Sequence, residues 1–192
     1  MRFTNGYWLD RDGFTVQRGK HVHDLRVDAD AGRVTAYAPT RPVRGRGDTL
    51  NNPQLTITYE AVADGVIRVR LDNHRGVRRP APRFEIAASA DYRGEVRTEA
   101  DGRTTLTAGD LALTVGVGEE WQADFTSAGR PLTSSLPRSI AHVIAPDGQH
   151  YMHEQLSLQP GESVYGLGER FGAFVKNGQS VDIWNEDGGT TS

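Results

Sequence analysis

Leu55-Thr56-Ile57-Thr58-Tyr59 and, beyond the pair Asp64-Gly65, Ile67-Arg68-Val69-Arg70-Leu71 carry the strongest structural signal in this chain. Apolar and polar residues alternate with a period of two, so Leu55, Ile57 and Tyr59 share one face of a strand while Thr56 and Thr58 share the other. Leu111, Leu113 and Val115 repeat the pattern. Pairs of turn formers punctuate the chain at Asp12-Gly13, Ala31-Gly32, Asp64-Gly65, Asp101-Gly102, Asp147-Gly148 and Asn177-Gly178. Such pairs supply the positive φ values that tight hairpin turns require. No stretch sustains helical apolar spacing over three turns. Many short strands joined by regular turns predict an all-β protein, an antiparallel β-sandwich.

The composition agrees. The 192 residues suffice for one domain with a real core, and 22 Gly with 9 Pro suit a turn-rich chain rather than a helical bundle. The hydrophobic fraction of 36% is low but gathered in alternating runs, as half-solvated sheets need. Net charge is −3 with the basic residues dispersed, which argues against a nucleic-acid partner. Arg75, Arg78, Arg79 and Arg83 form the one basic run, read as a solvated loop around Pro80 and Pro82. The absence of cysteine excludes disulfides and thiolate chemistry. The N-terminus lacks the apolar core of about 7–15 residues that marks a signal peptide, and no apolar run approaches membrane-spanning length. The expectation is a cytoplasmic protein without a membrane partner. Residues 39–53 and 72–83 read as loops. The segments from Phe171 to Lys176 and from Gln179 to Trp184 are expected to pair as a hairpin across Asn177-Gly178.

The final forty residues hold the densest set of informative side chains. Val164-Tyr165-Gly166-Leu167-Gly168-Glu169-Arg170-Phe171 leads into Phe174-Val175-Lys176-Asn177-Gly178-Gln179-Ser180-Val181, and then Trp184-Asn185-Glu186-Asp187-Gly188-Gly189-Thr190-Thr191-Ser192. These motifs resemble the N-terminal domain of glycoside hydrolase family 31, and within it the bacterial α-xylosidases. Phe3-Thr4-Asn5-Gly6-Tyr7-Trp8-Leu9 is similar to the start of those enzymes. The resemblance implies a galactose-mutarotase-like β-sandwich over residues 1–181, then a loop over 182–192 that reaches a sugar site. It also implies a (β/α)8 barrel carrying an aspartate nucleophile and an aspartate acid/base. The sequence is expected to stop before that barrel, and to be inactive alone.

In the matching motif the resemblance makes Asp187 a contact to substrate hydroxyls, with Trp184 and Asn185 beside it. The chemistry suits a sugar: a carboxylate accepts short charge-assisted bonds from vicinal hydroxyls, and an aromatic face takes the C–H face of the ring. The plainer alternatives are an exposed Asp187-Gly188-Gly189 turn and a core-facing Trp184. Glu186 and Asp187 are adjacent on one loop, whereas paired glycosidase carboxylates flank the scissile bond from opposite sides, roughly 5–9.5 Å apart. No catalytic residue is therefore assigned to this chain.

Gly166-Leu167-Gly168 is not a dinucleotide fingerprint, because Phe171 stands where the third glycine is required. The two glycines read as a strand or bend with close backbone approach, and Glu169 with Arg170 as structural ion-pairing residues. His21 and His23, two apart, would share a strand face, but no third ligand is identifiable and no metal or cofactor is expected. His142, His150, His153 and Glu154 supply residue types that mutarotases use, with fold as the only further support. The resemblance implies an α-xyloside or related oligosaccharide as substrate and a homo-oligomer as the assembly. The competing readings are a stand-alone carbohydrate-binding module and an oligomerisation domain.

Overall fold

Alternation at β6 (Gln54–Ala63) largely has the consequence the sequence predicts: Leu55, Ile57, Tyr59 and Ala61 are all buried, and on the other face Thr58 and Glu60 retain solvent contact while Thr56 is covered. The computed structural model describes residues 2–6, 8–74, 92–118, 120–168 and 171–183. Trp184, Asn185, Glu186, Asp187, Glu169, Arg170 and the basic run from Arg75 lie outside them. Among the described residues the fold is all-β and antiparallel, with one 3-10 turn at Arg46–Thr49 in the expected 39–53 loop and no (β/α)8 barrel.

The described chain divides into two units. In the larger, residues 13–157, β6 is central to a four-stranded sheet. Its neighbours are β5 (Arg33–Pro39) and β7 (Val66–Asp72), and β4 (Asp24–Asp28) lies outside β5. A five-stranded sheet runs from β12 (Arg130–Ser135) through β11 (Ala123–Ser127), β10 (Leu111–Gly116) and β9 (Arg103–Ala108) to β8 (Glu95–Thr98). β9 packs on β5 and β6, and β10 on β7, which closes the sandwich. Its core joins Val34, Ala36, Leu55, Ile57 and Tyr59 to Leu106, Leu113, Val115 and Trp121. All six glycines of the expected turn pairs adopt positive φ, between 58 and 85°.

Edges are managed locally. Pro131, which has no N–H for a ladder, sits in edge strand β12, where the register with β11 shifts between Phe125 and Thr126. The chain after residue 154 covers that edge: Ser134 N donates to Ser157 Oγ at 2.9 Å, and Ser157 N donates to the Ser134 carbonyl at 2.9 Å.

A third sheet orders β14 (His150–Glu154), β13 (Ile140–Ile144) and β3 (Thr15–Arg18). The backbone of Lys20 joins it to the sandwich. Gly19 N donates to the Ile140 carbonyl, Lys20 N to the Pro39 carbonyl, and Trp121 N to the Lys20 carbonyl at 2.7 Å.

The second unit holds residues up to 12 and those from 158 onward. β1 (Thr4–Asn5) pairs with β2 (Leu9–Asp10). The hairpin expected around Asn177-Gly178 is corrected: the turn forms, with Gly178 at φ 74° and Gln179 N donating to the Lys176 carbonyl, but residues 171–183 contain no strand. Lys176 N instead donates to the Val164 carbonyl at 2.8 Å. The Asn177 side chain accepts from Val164 N at 2.7 Å and donates to the Glu162 carbonyl at 2.9 Å. The Lys176 N–H that a hairpin ladder would use is thus engaged upstream, and the Asn177 side chain reinforces that pairing.

Candidate functional site

The described segment that precedes residue 184 contains a braced bend. Gly166, Leu167 and Gly168 have φ of 106°, 71° and 78°, so the expected bend forms here. A branched residue such as Leu167 seldom adopts positive φ, and the flanking glycines are what make the run sterically accessible. Asn177 then clamps the two arms of the segment, and the Tyr165 and Phe174 rings meet with centroids 5.0 Å apart. Phe171 and Phe174 remain 78% and 79% exposed. Glu162 accepts the backbone N–H of Gln159 and is thereby engaged in turn structure.

The histidines sort differently from their sequence spacing. His21 and His23 lie outside any strand, yet with Val22 buried between them their rings meet edge-on, centroids 5.9 Å apart. Among the described residues no group of three or more His, Asp or Glu is disposed to hold a metal ion. His153 and Glu154 are consecutive on β14 and so point to opposite faces, unlike an acid/base pair converging on one anomeric centre. His142 is buried between Gln17 and His150. Tyr59 is fully buried, and among the described residues its hydroxyl has no hydrogen-bond partner. Burial, then the nearby Glu154 carboxylate, pushes that phenol well above its usual range. Burial also raises Glu154.

Burial lowers the pKa of His21, His142 and His153 below the ordinary 6.5, helped respectively by His23, His150 and Arg18. Unfolded histidine therefore binds protons that the folded protein refuses. The associated stability is complete above about pH 6.5 and is lost as pH falls through the depressed folded values. Glu154 acts with the opposite sign: its contribution is complete below the unfolded carboxyl value and is lost as pH rises through the raised folded one. With three histidines against one carboxyl, the urea midpoint should be flat above about pH 7 and fall between about pH 6.5 and 5. A midpoint that rises over that interval would contradict this assignment.

Sequence reasoning missed a polar surface on the five-stranded sheet. Thr105, Thr114, Asp124 and Ser134 are successive register partners across β9 to β12 and form one hydroxyl- and carboxylate-bearing row. Thr105 and Thr114 share a hydroxyl bond of 3.0 Å, and Ser134 Oγ donates to Asp124 at 2.7 Å. Open clefts of about 510 and 260 Å³ adjoin there through Arg103 and Thr114. The outward threonines of alternating strands were the available signal. The lining includes no aromatic residue, so the stacking platform expected of a stand-alone sugar-binding module is missing from these clefts.

With the sandwich and the lead-in segment in place, comparison with known proteins is decisive. Residues 56–192 match the glycosyl hydrolase 31 N-terminal galactose mutarotase-like domain. The chain belongs to this family. This glycosyl hydrolase 31 domain is 39% identical over 194 residues to a protein named alpha-xylosidase XylQ from Lactiplantibacillus pentosus, covering 100% of this chain and 25% of that one. It is 36% identical over 212 residues to an alpha-xylosidase from Emericella nidulans, covering 100% of this chain and 27% of the relative. The chain thus spans about a quarter of the length of these curated relatives. An uncharacterized protein of Listeria monocytogenes EGD-e, known from a crystal structure, shares the fold: TM-score 0.59, 16% identity, covering 90% of this domain and 15% of that chain.

Proposed function

We propose that this chain is the substrate-site-shaping N-terminal domain of a retaining α-glycosidase that hydrolyses α-linked xylosides, and that it is catalytically inert alone. The observation that carries the reading is the family match extending to residue 192, and so through the polar loop, together with two relatives named alpha-xylosidase that align over the whole chain. In this reading the bond-breaking aspartates belong to a barrel, one attacking the anomeric carbon and the other protonating the leaving oxygen, through oxocarbenium-like transition states. Asp187 accepts hydrogen bonds from the sugar's vicinal hydroxyls, Asn185 adds an amide beside it, and Trp184 offers a face for C–H stacking. The Asn177 clamp holds the lead-in from which that loop departs. We place the whole protein in the cytoplasm.

The deciding experiment is hydrolysis of p-nitrophenyl α-xyloside by this chain beside a form extended through the barrel. Only the extended form should be active, and in it Asp187→Ala should lower kcat/KM by about 10–100-fold, the worth of one hydrogen bond to a charged group. Activity in the 192-residue chain, or an unaffected Asp187→Ala variant, would overturn the reading.

A contact role between subunits is favoured by one further observation. Phe171, Phe174 and Ile183 expose large apolar surface within one short segment, residues 171–183. We propose a homo-oligomer that uses this stretch, expected in light scattering as a mass that rises with concentration and reverts in Phe174→Ser.

A further inference from the structure

On one face of the three-stranded sheet, His142 is flanked by Gln17 of β3 and Met152 of β14, its register partners on either side. His142 Nδ1 lies 2.8 Å from Gln17 Oε1, so this nitrogen carries the hydrogen and donates it, leaving Nε2 as an acceptor. That Nε2 lies 2.9 Å from Nδ1 of His150, the next residue of β14 on the same face as Met152. His142 is only 5% exposed and thus held firmly, whereas His150 is open to solvent. The site lies wholly within residues 13–157.

We infer that His142 Nε2 and His150 Nδ1 form a bidentate site for a divalent transition metal of square-planar or tetragonal preference, Cu2+ above all. The separation brings both nitrogens within reach of one ion. With metal–nitrogen bonds of about 2.0–2.1 Å, two ligands at a right angle stand about 2.9 Å apart, and two in a tetrahedron about 3.3 Å. In the metal-free pair the 2.9 Å separation is that of a hydrogen bond, and a small turn of the exposed His150 ring lets both lone pairs meet one ion; Cu2+, which takes right-angled nitrogens and stands highest in the affinity order, is the favoured occupant. Gln17 plays the outer role that metal-binding histidines require, fixing tautomer and ring orientation through the other nitrogen. Met152 places a soft thioether on the same face, and water completes the coordination.

The proton account closes without release to solvent. In the metal-free pair, His150 Nδ1 donates its hydrogen to His142 Nε2. On binding, that hydrogen moves to His150 Nε2, both rings stay neutral, and each nitrogen of the pair turns its lone pair to the ion. Glu154, further along the same face of β14, is the nearest carboxylate on that strand.

The test is titration of the full chain with Cu2+ in glycine buffer, followed by electron paramagnetic resonance and thermal melting. One equivalent should bind with a two-imidazole nitrogen signature and raise Tm. His150→Ala sits at an exposed strand position and should weaken binding at least about tenfold and lose one nitrogen from the spectrum; Gln17→Leu should weaken it about tenfold. The double change His21→Ala and His23→Ala, which removes the other histidine pair, should leave binding intact. Cu2+ affinity unchanged in His150→Ala, or lost in the His21/His23 variant, would overturn the assignment.

Discussion

Trp121→Ala is expected to lower the stability of this domain by about 3–5 kcal/mol, the range for truncating a large buried aromatic. Trp121 is fully buried and is the largest such side chain described in the core. Its indole nitrogen donates to the buried Ser135 Oγ at 3.0 Å, and its backbone N–H donates to the Lys20 carbonyl at 2.7 Å. Truncation therefore opens a cavity between the sheets and leaves the Ser135 hydroxyl without its partner, two costs that add. The backbone bond survives, so the link through Lys20 should persist. Urea denaturation followed by far-ultraviolet circular dichroism reads the loss. Adding Ser135→Ala to the Trp121→Ala background should recover part of it, because no stranded hydroxyl then remains. A loss below about 1 kcal/mol would mean that the site collapses freely and that Trp121 does not hold the sheets apart.

Gly94→Ala should be the most damaging of the small changes. A Cβ there would stand 2.5 Å from the Thr107 carbonyl oxygen and 2.5 Å from the Ala61 Cβ, with Leu106 Cδ1 at 3.2 Å. Thr107 and Ala61 belong to β9 and β6, strands of the two facing sheets, so neither can yield without shifting a ladder. From the other side, Gly32 sits so close that a Cβ on it would meet Gly94 N at 2.8 Å. Overpacking of this kind costs about 1–3 kcal/mol. Gly45→Ala is the control: its Cβ meets nothing within 4 Å, and the change should stay within about 0.5 kcal/mol. Equal melting midpoints for the two variants would show that the sheets separate more readily than this contact implies.

What could be read from the sequence follows from how each strand is buried. β6, β7 and β10 turn one face to the core and the other toward water, so their alternation is visible. β13 is buried on both faces at Ile140, Ala141, His142 and Val143, which erases the period and hides the strand. Trp121 follows a charged, Gly-containing stretch that reads as loop, although tertiary packing places it at the centre of the core. The Asn177-Gly178 signal correctly marked a turn but not a hairpin, because a dipeptide is silent about where Asn177 will send its side chain. The pairing of His142 with Gln17 spans 125 residues, beyond the reach of any local pattern. Family and fold were legible from motif and period. Asp187, Trp184 and Asn185 rest on resemblance, because they lie outside the described residues.

That same span sets a timetable for synthesis. β3 opens the larger unit, yet the strand it pairs with, β13, is next to last in it. At about 5–20 residues per second, Gln17 leaves the ribosome on the order of ten seconds before His142 can meet it. The hairpins of the two large sheets close early, from neighbours in sequence, while β3 waits without a ladder. Closing so long a loop costs entropy before any contact repays it, which makes this pairing a slow, late event in folding. A nascent chain arrested before residue 140 would present β3 as an open template for other strands, an exposure that ends only when β13 is made.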